Sequence, residues 1–311
     1  ARITPTNVFI AFGFFFGIFF VLPQFGQLGQ IITRIDNINV VWFFLALIAS
    51  AGTYVAAAFT LMAAAQGIQM RVPLYLTSIA ELAGSFANRF TPFGIGGFAL
   101  TSRYLQCFGS SKAQSIASVA LPVVAGTITT TILMAIVAPS AVGDLLKGIT
   151  IDSKAKLVVA LTGSLLAVGT LIFMVFSRKT SQFIQSALNS AIISGRQLAQ
   201  SGRVIRLLLG SILITSTYVL ALFASVKAFS LDLSIIQAFV VYVAGSTIGQ
   251  ATPTPGGLGG KEVAYAAGLI AFGITASGAI AAVLLFRLLT FWLPMIPGAI
   301  AFRYLKHSAY F

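Results

Sequence analysis

The sequence predicts an all-α, polytopic membrane protein of about seven spanning helices, with two re-entrant broken-helix pairs in an inverted repeat. Three observations support this fold class. Hydrophobic residues make up 58% of the 311 residues and charged residues only 8%, whereas a soluble domain carries charge on about a quarter of its residues. Several apolar stretches reach about 20 residues, enough to cross a hydrocarbon core of roughly 30 Å. A helix-break-helix pattern also occurs twice.

The long apolar stretches give the spanning helices. We expect these at residues 8–22, 40–65, 113–138, 157–176, 204–229 and from 276 onward, where Pro294 and Pro297 kink or end the helix. An interfacial helix is expected at 178–203. The shorter segments form two pairs, 72–90 with 94–108 and 233–250 with 258–272, each interrupted by proline and glycine.

Four short motifs recur in the same order with an almost constant offset, which indicates an internal duplication. Ala83-Gly84-Ser85 recurs as Ala244-Gly245-Ser246, Thr91-Pro92 as Thr252-Pro253, Gly96-Gly97 as Gly259-Gly260, and Phe108-Gly109 as Phe272-Gly273. We therefore expect one transmembrane domain over 1–311, with repeat 1 at about 40–138 and repeat 2 at about 204–305.

The distribution of charge indicates the orientation. If both pairs are re-entrant, the single crossing at 157–176 starts the second repeat on the opposite face, so the repeats are inverted. One face then carries only bases: Arg2, Arg71, Arg178, Lys179, Arg196, Arg203, Arg206, Arg303 and Lys306. The other face carries Arg34, Lys147, Lys154, Lys156 and Lys227 with Asp36, Asp144, Asp152 and Asp232. The positive-inside rule makes the basic face, and the N-terminus, cytoplasmic.

The two breaks are the candidate binding site. Non-helical backbone at membrane depth is tolerated only where protein or a wet cavity satisfies it. Helix starts after Gly97 and Gly260 are expected to offer free N–H groups to an anion such as phosphate. Tight helix packing is the alternative role for the glycines.

Ionisable side chains in or beside membrane segments mark a pathway or an ion pair. Glu81 with Arg103 and Glu262 with Arg287 are candidate salt bridges, and the alternative is lipid binding. The full set of predicted substrate-binding residues is Glu81, Arg89, Thr91, Pro92, Gly96, Gly97, Arg103, Thr252, Pro253, Pro255, Gly256, Gly257, Gly259, Gly260, Lys261, Glu262 and Arg287.

Several function classes are disfavoured. The net charge of +13 comes from scattered bases rather than a basic domain, so nucleic acid is not the expected partner. With one cysteine and one histidine we expect no metal site, no cofactor and no catalytic residue. Gly259-Gly260-Lys261-Glu262 fails the phosphate-loop pattern, because Pro255 replaces the leading glycine and Glu262 the Ser/Thr that holds magnesium.

Three segments carry a family resemblance: 87–97, 252–262 and 286–294, which read ANRFTPFGIGG, TPTPGGLGGKE and FRLLTFWLP. They resemble the lysylphosphatidylglycerol synthase transmembrane-region family, also described as flippase-like integral membrane proteins. The resemblance implies lipid handling, with aminoacyl-phospholipids or polyprenyl-phosphate sugars as substrates. Lys261 stands where the family often has a neutral residue.

The expected function is therefore translocation of an anionic or phosphate-bearing lipid between leaflets without ATP hydrolysis, by a non-enzymatic protein. Arg89, Arg103, Lys261 and Arg287 are expected to contact phosphate, and Glu81 and Glu262 to pair with them or carry protons. The alternatives are a membrane-embedded transferase that uses a lipid-phosphate donor, and a non-transporting scaffold for a lipid-modifying enzyme. We expect the protein in a bacterial plasma membrane, in contact with anionic or polyprenyl-phosphate-linked lipids, with a homodimer as one candidate assembly.

Overall fold

A computed structural model describes residues 38–91, 95–145, 203–252, 254–308 and 310, and these residues form helices and connecting turns without a strand. The predicted segments 8–22, 157–176 and 178–202 lie outside the described residues. Four described helices are long and apolar enough to cross a membrane: Val40–Ile68, Lys112–Val137, Val204–Ala228 and Ala276–His307. The all-α membrane fold is confirmed at this level.

The first group of helices contains α1 at Val40–Ala65, α2 at Leu74–Asn88, α3 at Ile95–Cys107 and α4 at Lys112–Leu145. The side chain of Asn39 accepts from the N–H groups of Val41 and Trp42 and so begins α1 at the predicted residue. Helix α3 ends before Gly109, whose φ of +94° few residues other than glycine adopt.

The second group repeats this order of elements. It contains α5 at Val204–Ala228, α6 at Ile235–Ala251, a 3₁₀ turn at Pro255–Gly257, α7 at Gly260–Ala271 and α8 at Ala276–Arg287. A π-helical turn at Leu288–Trp292 then leads to α9 at Met295–His307. The helix predicted from 276 is interrupted near Pro294, as expected, whereas Pro297 lies inside α9 near its start. Gly273, with a φ of +87°, ends α7 as Gly109 ends α3.

Helices α1 and α5, the first helix of each group, pack antiparallel along their length. At one end of the pair, the N–H of Asn39 donates to the carbonyl of Ala228 at 2.9 Å. At the other end, Arg206 Nη1 donates to Gln66 Oε1 at 3.4 Å. The start of each helix therefore lies beside the end of the other.

Each broken pair folds back on itself as a hairpin. The hydroxyl groups of Thr77, near the start of α2, and Tyr104, near the end of α3, lie 3.1 Å apart. In the second pair, the rings of Tyr242 on α6 and Tyr265 on α7 stack with centroids 6.3 Å apart. The breaks thus lie at the closed ends of the two hairpins.

Basic residues from two segments lie at the same end of the fold. Ala65, Val72 and Leu305 belong to one buried cluster, so the segments that carry Arg71 and Lys306 lie near the Gln66 end of α1. Lys227 lies at the opposite end of the α1–α5 pair and forms an exposed ion pair with Asp232 at 2.8 Å. The neighbouring ammonium lowers the pKa of the Asp232 carboxyl.

Candidate anion-binding site

Side chains from its own hairpin cap the start of α3 at the first break. Thr91 Oγ1 accepts from the N–H of Gly96 at 2.9 Å, and Asn88 Oδ1 accepts from the N–H of Gly97. The expectation of free N–H groups after Gly97 is wrong at these two residues, because α3 begins at Ile95 and both N–H groups are satisfied. Glycine is needed here for packing, since a Cβ on Gly97 would lie 2.6 Å from the carbonyl oxygen of Gly84.

The second break needs glycine for its backbone. Gly256, Gly257 and Gly259 have φ values of +65°, +70° and +84°, in the left-handed region that favours glycine. Helix α7 begins at Gly260, and Glu262 Oε2 accepts from the N–H of Gly259 at 2.8 Å. A carboxylate of the chain itself therefore caps this helix.

Glu262 also forms a buried ion pair. Its Oε1 accepts from Arg287 Nε at 2.5 Å, with side-chain exposures of 14% for Glu262 and 6% for Arg287. Arg287 Nη2 donates further to the carbonyl of Gly256 at 3.5 Å. The predicted pairing of Glu262 with Arg287 is confirmed, and it joins α8 to the second break.

Arg89 lies at the first break and is buried, with 6% of its surface exposed. Its Nη2 donates to the hydroxyl of Tyr54 and to the carbonyl of Thr290, each at 3.3 Å. Its Nε and Nη1 are buried and have no hydrogen-bond partner among the described residues. Arg89 also forms no ion pair with any described carboxylate. Two donor nitrogens of a charged side chain therefore lack an acceptor among the described residues.

The acceptor at Thr290 results from Pro294. An α-helix would pair the carbonyl of Thr290 with the N–H of residue 294, and proline has no N–H. The π-helical turn also pairs the N–H of Leu293 with the carbonyl of Leu288, which leaves the carbonyl of Leu289 for Ser50 Oγ at 2.7 Å. Side chains of α1 and of the first break therefore satisfy the carbonyls that this kink exposes.

One aromatic ring lies against both arginines. The guanidinium carbon of Arg89 lies 5.1 Å from the ring centroid of Phe291, and that of Arg287 lies 4.2 Å from it. The faces of aromatic rings attract cations, more strongly when the pair is desolvated. Phe291 thus brings the first break, the second break and the π-helical turn to one place.

Tyrosine side chains also lie in this region, and none of them is among the site residues predicted from the sequence. Tyr218 stacks on Tyr242 with centroids 5.5 Å apart, and Tyr242 on Tyr265. The Tyr218 hydroxyl is close enough to Arg89 and Arg287 to be influenced by their charges. Tyrosines at periodic spacing in apolar helices read as ordinary packing or interfacial residues, so only their convergence in three dimensions distinguishes them.

The remaining predicted site residues divide into four groups. Lys261 packs its side chain against Gly249 and Gly257, and it lies near Arg287 and Glu262. Arg103 is exposed and donates to Gln106 at 3.4 Å, while Glu81 forms no ion pair with any described residue, so their predicted pairing is wrong. Thr252 donates to the carbonyl of Ile248 at 3.1 Å, and the 3₁₀ turn begins at Pro255. Pro92 and Pro253 lie outside the described residues.

The family model of the lysylphosphatidylglycerol synthase TM region matches residues 8–298. The chain belongs to this family. A search of curated proteins found no significant match. The lysylphosphatidylglycerol synthase TM family is a membrane family and is often flippase-like in function. The matched range includes both breaks and the two arginines that lie against Phe291.

Proposed function

We propose that the protein translocates an anionic or phosphate-bearing lipid between membrane leaflets without ATP hydrolysis. The headgroup binds at the arginine cluster, defined as Arg89 and Arg287 against Phe291 together with Glu262 and Lys261 beside Arg287. The hydrocarbon chains stay in lipid while the headgroup crosses.

The observation that carries this proposal is that two guanidinium nitrogens of Arg89 have no hydrogen-bond partner among the described residues. A buried charge without a partner is costly in a membrane protein, and such groups are retained for function. The Nε and Nη1 groups of Arg89 lack acceptors among the described residues. A guanidinium edge binds phosphate oxygens through charge-assisted hydrogen bonds.

We further propose about seven spanning helices with the two hairpins re-entrant from opposite membrane faces. The antiparallel packing of α1 and α5 supports an inverted repeat, because inversion reverses the first helix of the second unit. The contact between Thr77 and Tyr104 supports a hairpin whose two ends return to one face. The positive-inside rule then favours a bacterial plasma membrane with the N-terminus and the Gln66 end of α1 in the cytoplasm.

Transport rather than bond-breaking chemistry is the favoured activity. Glu262 occupies the position at which a phosphate loop has its magnesium-binding hydroxyl, and its carboxylate is used to cap α7 and to pair with Arg287. Transport therefore follows the lipid gradient or a coupled ion. Glu81, for which no ion pair is found among the described residues, is a candidate proton carrier.

A liposome assay with the purified protein tests the function. A fluorescently labelled phosphatidylglycerol in the inner leaflet should become accessible to an external quencher faster than in protein-free liposomes. Arg89→Gln should lose most of this acceleration. Arg206→Gln should keep it, because Arg206 is exposed and its guanidinium donates to Gln66 rather than to a residue of the arginine cluster.

Two results would contradict the proposal. One is the absence of accelerated movement for anionic lipids and polyprenyl phosphates, with and without a proton gradient. The other is equal loss of movement in Arg89→Gln and Arg206→Gln at equal protein content. The first result would favour a non-transporting scaffold.

A further inference from the structure

The arginine cluster has an excess of positive charge. Arg89, Lys261 and Arg287 are three cationic side chains, and Glu262 is the one carboxylate within hydrogen-bond distance of any of them among the described residues. With all four groups charged, the cluster carries two more positive than negative charges. The guanidinium groups of Arg89 and Arg287 both lie against the ring of Phe291, so the two positive charges are close and repel each other.

The composition of the chain limits what else could balance these charges. The sequence contains only six acidic residues: Asp36, Glu81, Asp144, Asp152, Asp232 and Glu262. Glu262 is committed to Arg287, and Asp232 is exposed and committed to Lys227. Glu81 forms no ion pair with a described residue, and the other three acids follow or precede spanning segments in the sequence. No carboxylate in the part of the chain that the structure describes forms an ion pair with Arg89.

The arginine cluster as a whole has more hydrogen-bond donors than two phosphate oxygens would use. Arg89 offers Nε and Nη1, which have no hydrogen-bond partner among the described residues, and the Lys261 ammonium lies near Arg287 and Glu262. The Tyr218 hydroxyl lies within electrostatic range of Arg89 and Arg287, and the Tyr265 hydroxyl within that of Arg287. A phosphate diester has two non-bridging oxygens and one negative charge. A phosphate monoester has three such oxygens and about two charges at neutral pH.

From this charge excess and donor number, we propose that the arginine cluster selects a dianionic phosphate headgroup, a monoester or a diphosphate, over a phosphate diester. The inference rests on the proposed function, since it specifies the substrate class of the same site. Two negative charges match the excess of the cluster, whereas a diester leaves one cation unpaired in a low-dielectric environment.

Thermal unfolding of the purified full chain in detergent tests this with defined probes. Short-chain phosphatidic acid is the monoester lipid, and phosphatidylglycerol of the same chain length is the diester. Inorganic phosphate and pyrophosphate supply the same anions without a lipid. From the concentration dependence of the melting temperature, phosphatidic acid should bind at least about tenfold more tightly than phosphatidylglycerol at pH 7.5.

The charge of the ligand can be changed without altering the protein sequence. Phosphate monoesters lose their second charge as the pH falls through about 6. The preference for phosphatidic acid should therefore shrink toward equality at pH 5. Phosphatidylglycerol keeps one charge and reports any titration of Lys261, Glu262, Arg287 or the tyrosines that face the site. Arg89→Gln should reduce binding of phosphatidic acid more than that of phosphatidylglycerol, with Arg206→Gln as the matched control.

The outcomes separate this inference from the proposed function. Equal or tighter binding of phosphatidylglycerol at pH 7.5 overturns the dianion preference and leaves lipid translocation standing. Failure of every lipid probe overturns both. Binding of pyrophosphate or phosphate as tight as that of phosphatidic acid keeps the dianion preference and moves the ligand from lipid to soluble anion. If Arg89→Gln does not fold, the pH comparison on the unaltered protein decides.

Discussion

Arg89 Nη2 donates a hydrogen bond to the carbonyl oxygen of Thr290 at 3.3 Å, which joins the first break to the π-helical turn of the last long helix. The acceptor is free because residue 294 is proline and lacks the N–H that an α-helix would supply. The same side chain lies near Phe291, which also contacts Arg287. Pro294 therefore helps to position the buried guanidinium of Arg89, which is distant from it in the sequence.

Restoring the missing N–H should weaken the site. In Pro294→Ala, the new N–H competes with Arg89 for the carbonyl of Thr290, so Arg89 loses one of its two fixed contacts. Since a hydrogen bond to a charged group contributes about 1.5 to 3 kcal/mol, binding of an anionic lipid should weaken about tenfold or more. Lipid-dependent shifts in melting temperature measure this.

Pro297→Ala is the matched control for that substitution. Pro297 is exposed, and the carbonyl four residues before it belongs to Leu293 rather than to a partner of Arg89. It should leave lipid binding unchanged. Equal weakening in the two alanine variants would show that the position of Arg89 does not depend on the Thr290 carbonyl.

The ion pair of Glu262 and Arg287 should behave as a coupled unit in folding. Both side chains are at least 86% buried, given exposures of 14% and 6%. Glu262→Gln or Arg287→Gln alone leaves an unpaired buried charge and should destabilise the fold by roughly 3 to 5 kcal/mol. The double variant removes both charges and should recover much of that loss.

A double-mutant cycle of unfolding in denaturant measures the coupling. Lys227→Gln and Asp232→Asn provide the comparison, because that pair is exposed and should show little coupling. Additive losses for Glu262 and Arg287 would contradict a structural role for their ion pair.

The helix bounds follow closely from the sequence, whereas the side-chain network does not. Apolar length alone predicts α1 at 40–65, which are its bounds in the structure, and Pro and Gly locate both breaks. The pairing of Glu262 with Arg287 was one of two predicted pairs and is confirmed. The other, Glu81 with Arg103, is absent because Arg103 is exposed and contacts Gln106.

The network around Phe291 depends on contacts between residues that are distant in the sequence. Pro294 predicts a kink, but not that Ser50 and Arg89 satisfy the two freed carbonyls. The capping of α3 by Asn88 and Thr91 also depends on the folded break. The prediction from the sequence therefore gives too many free N–H groups at the start of α3. Convergence of this kind is a property of packing rather than of local pattern.

Close packing of the second hairpin should make Gly245 intolerant of a side chain. A Cβ at Gly245 would overlap the ring of Tyr265, which stacks on Tyr242. Gly245→Ala should therefore displace this ring and destabilise the protein by about 1 to 3 kcal/mol. Gly126→Ala in α4 meets nothing within 4 Å and should be neutral or stabilising, since alanine favours a helix. Equal melting temperatures for the two variants would contradict the packing observed for Gly245.

Opposite ends of the fold should face opposite sides of the membrane. Ser230 follows the end of α5, and Ser308 follows α9 at the basic end. In a Cys107→Ser background, Ser230→Cys should react with an impermeant maleimide in intact cells. Ser308→Cys should react only after permeabilisation. Labelling of Ser308→Cys alone in intact cells would reverse the proposed orientation, and labelling of both would refute it.

Substituting the basic side chains at the breaks, Arg89 and Lys261, tests whether they have a structural role or bind a ligand. Arg89 forms no ion pair with a described carboxylate, so Arg89→Gln should leave no buried acid behind. Removing a charge near Arg287 also reduces repulsion within the arginine cluster. The melting temperature without added lipid should therefore stay equal or rise, and Lys261→Gln should behave in the same way. Both variants should lose most of the stabilisation by anionic lipid.

Arg89→Lys provides the sharper comparison because it keeps the charge and removes the guanidinium fork. Lysine can approach a phosphate as a point charge, but it has only one nitrogen. It cannot donate to the phosphate from two coplanar nitrogens while a third nitrogen donates to Tyr54 and Thr290. The variant should fold and bind anionic lipid with an affinity between those of the unaltered protein and Arg89→Gln. Full lipid binding by Arg89→Lys would show that charge alone is recognised. Unfolding of Arg89→Gln and Lys261→Gln, with normal lipid binding in the surviving folded protein, would assign both residues to the fold and move the binding site elsewhere.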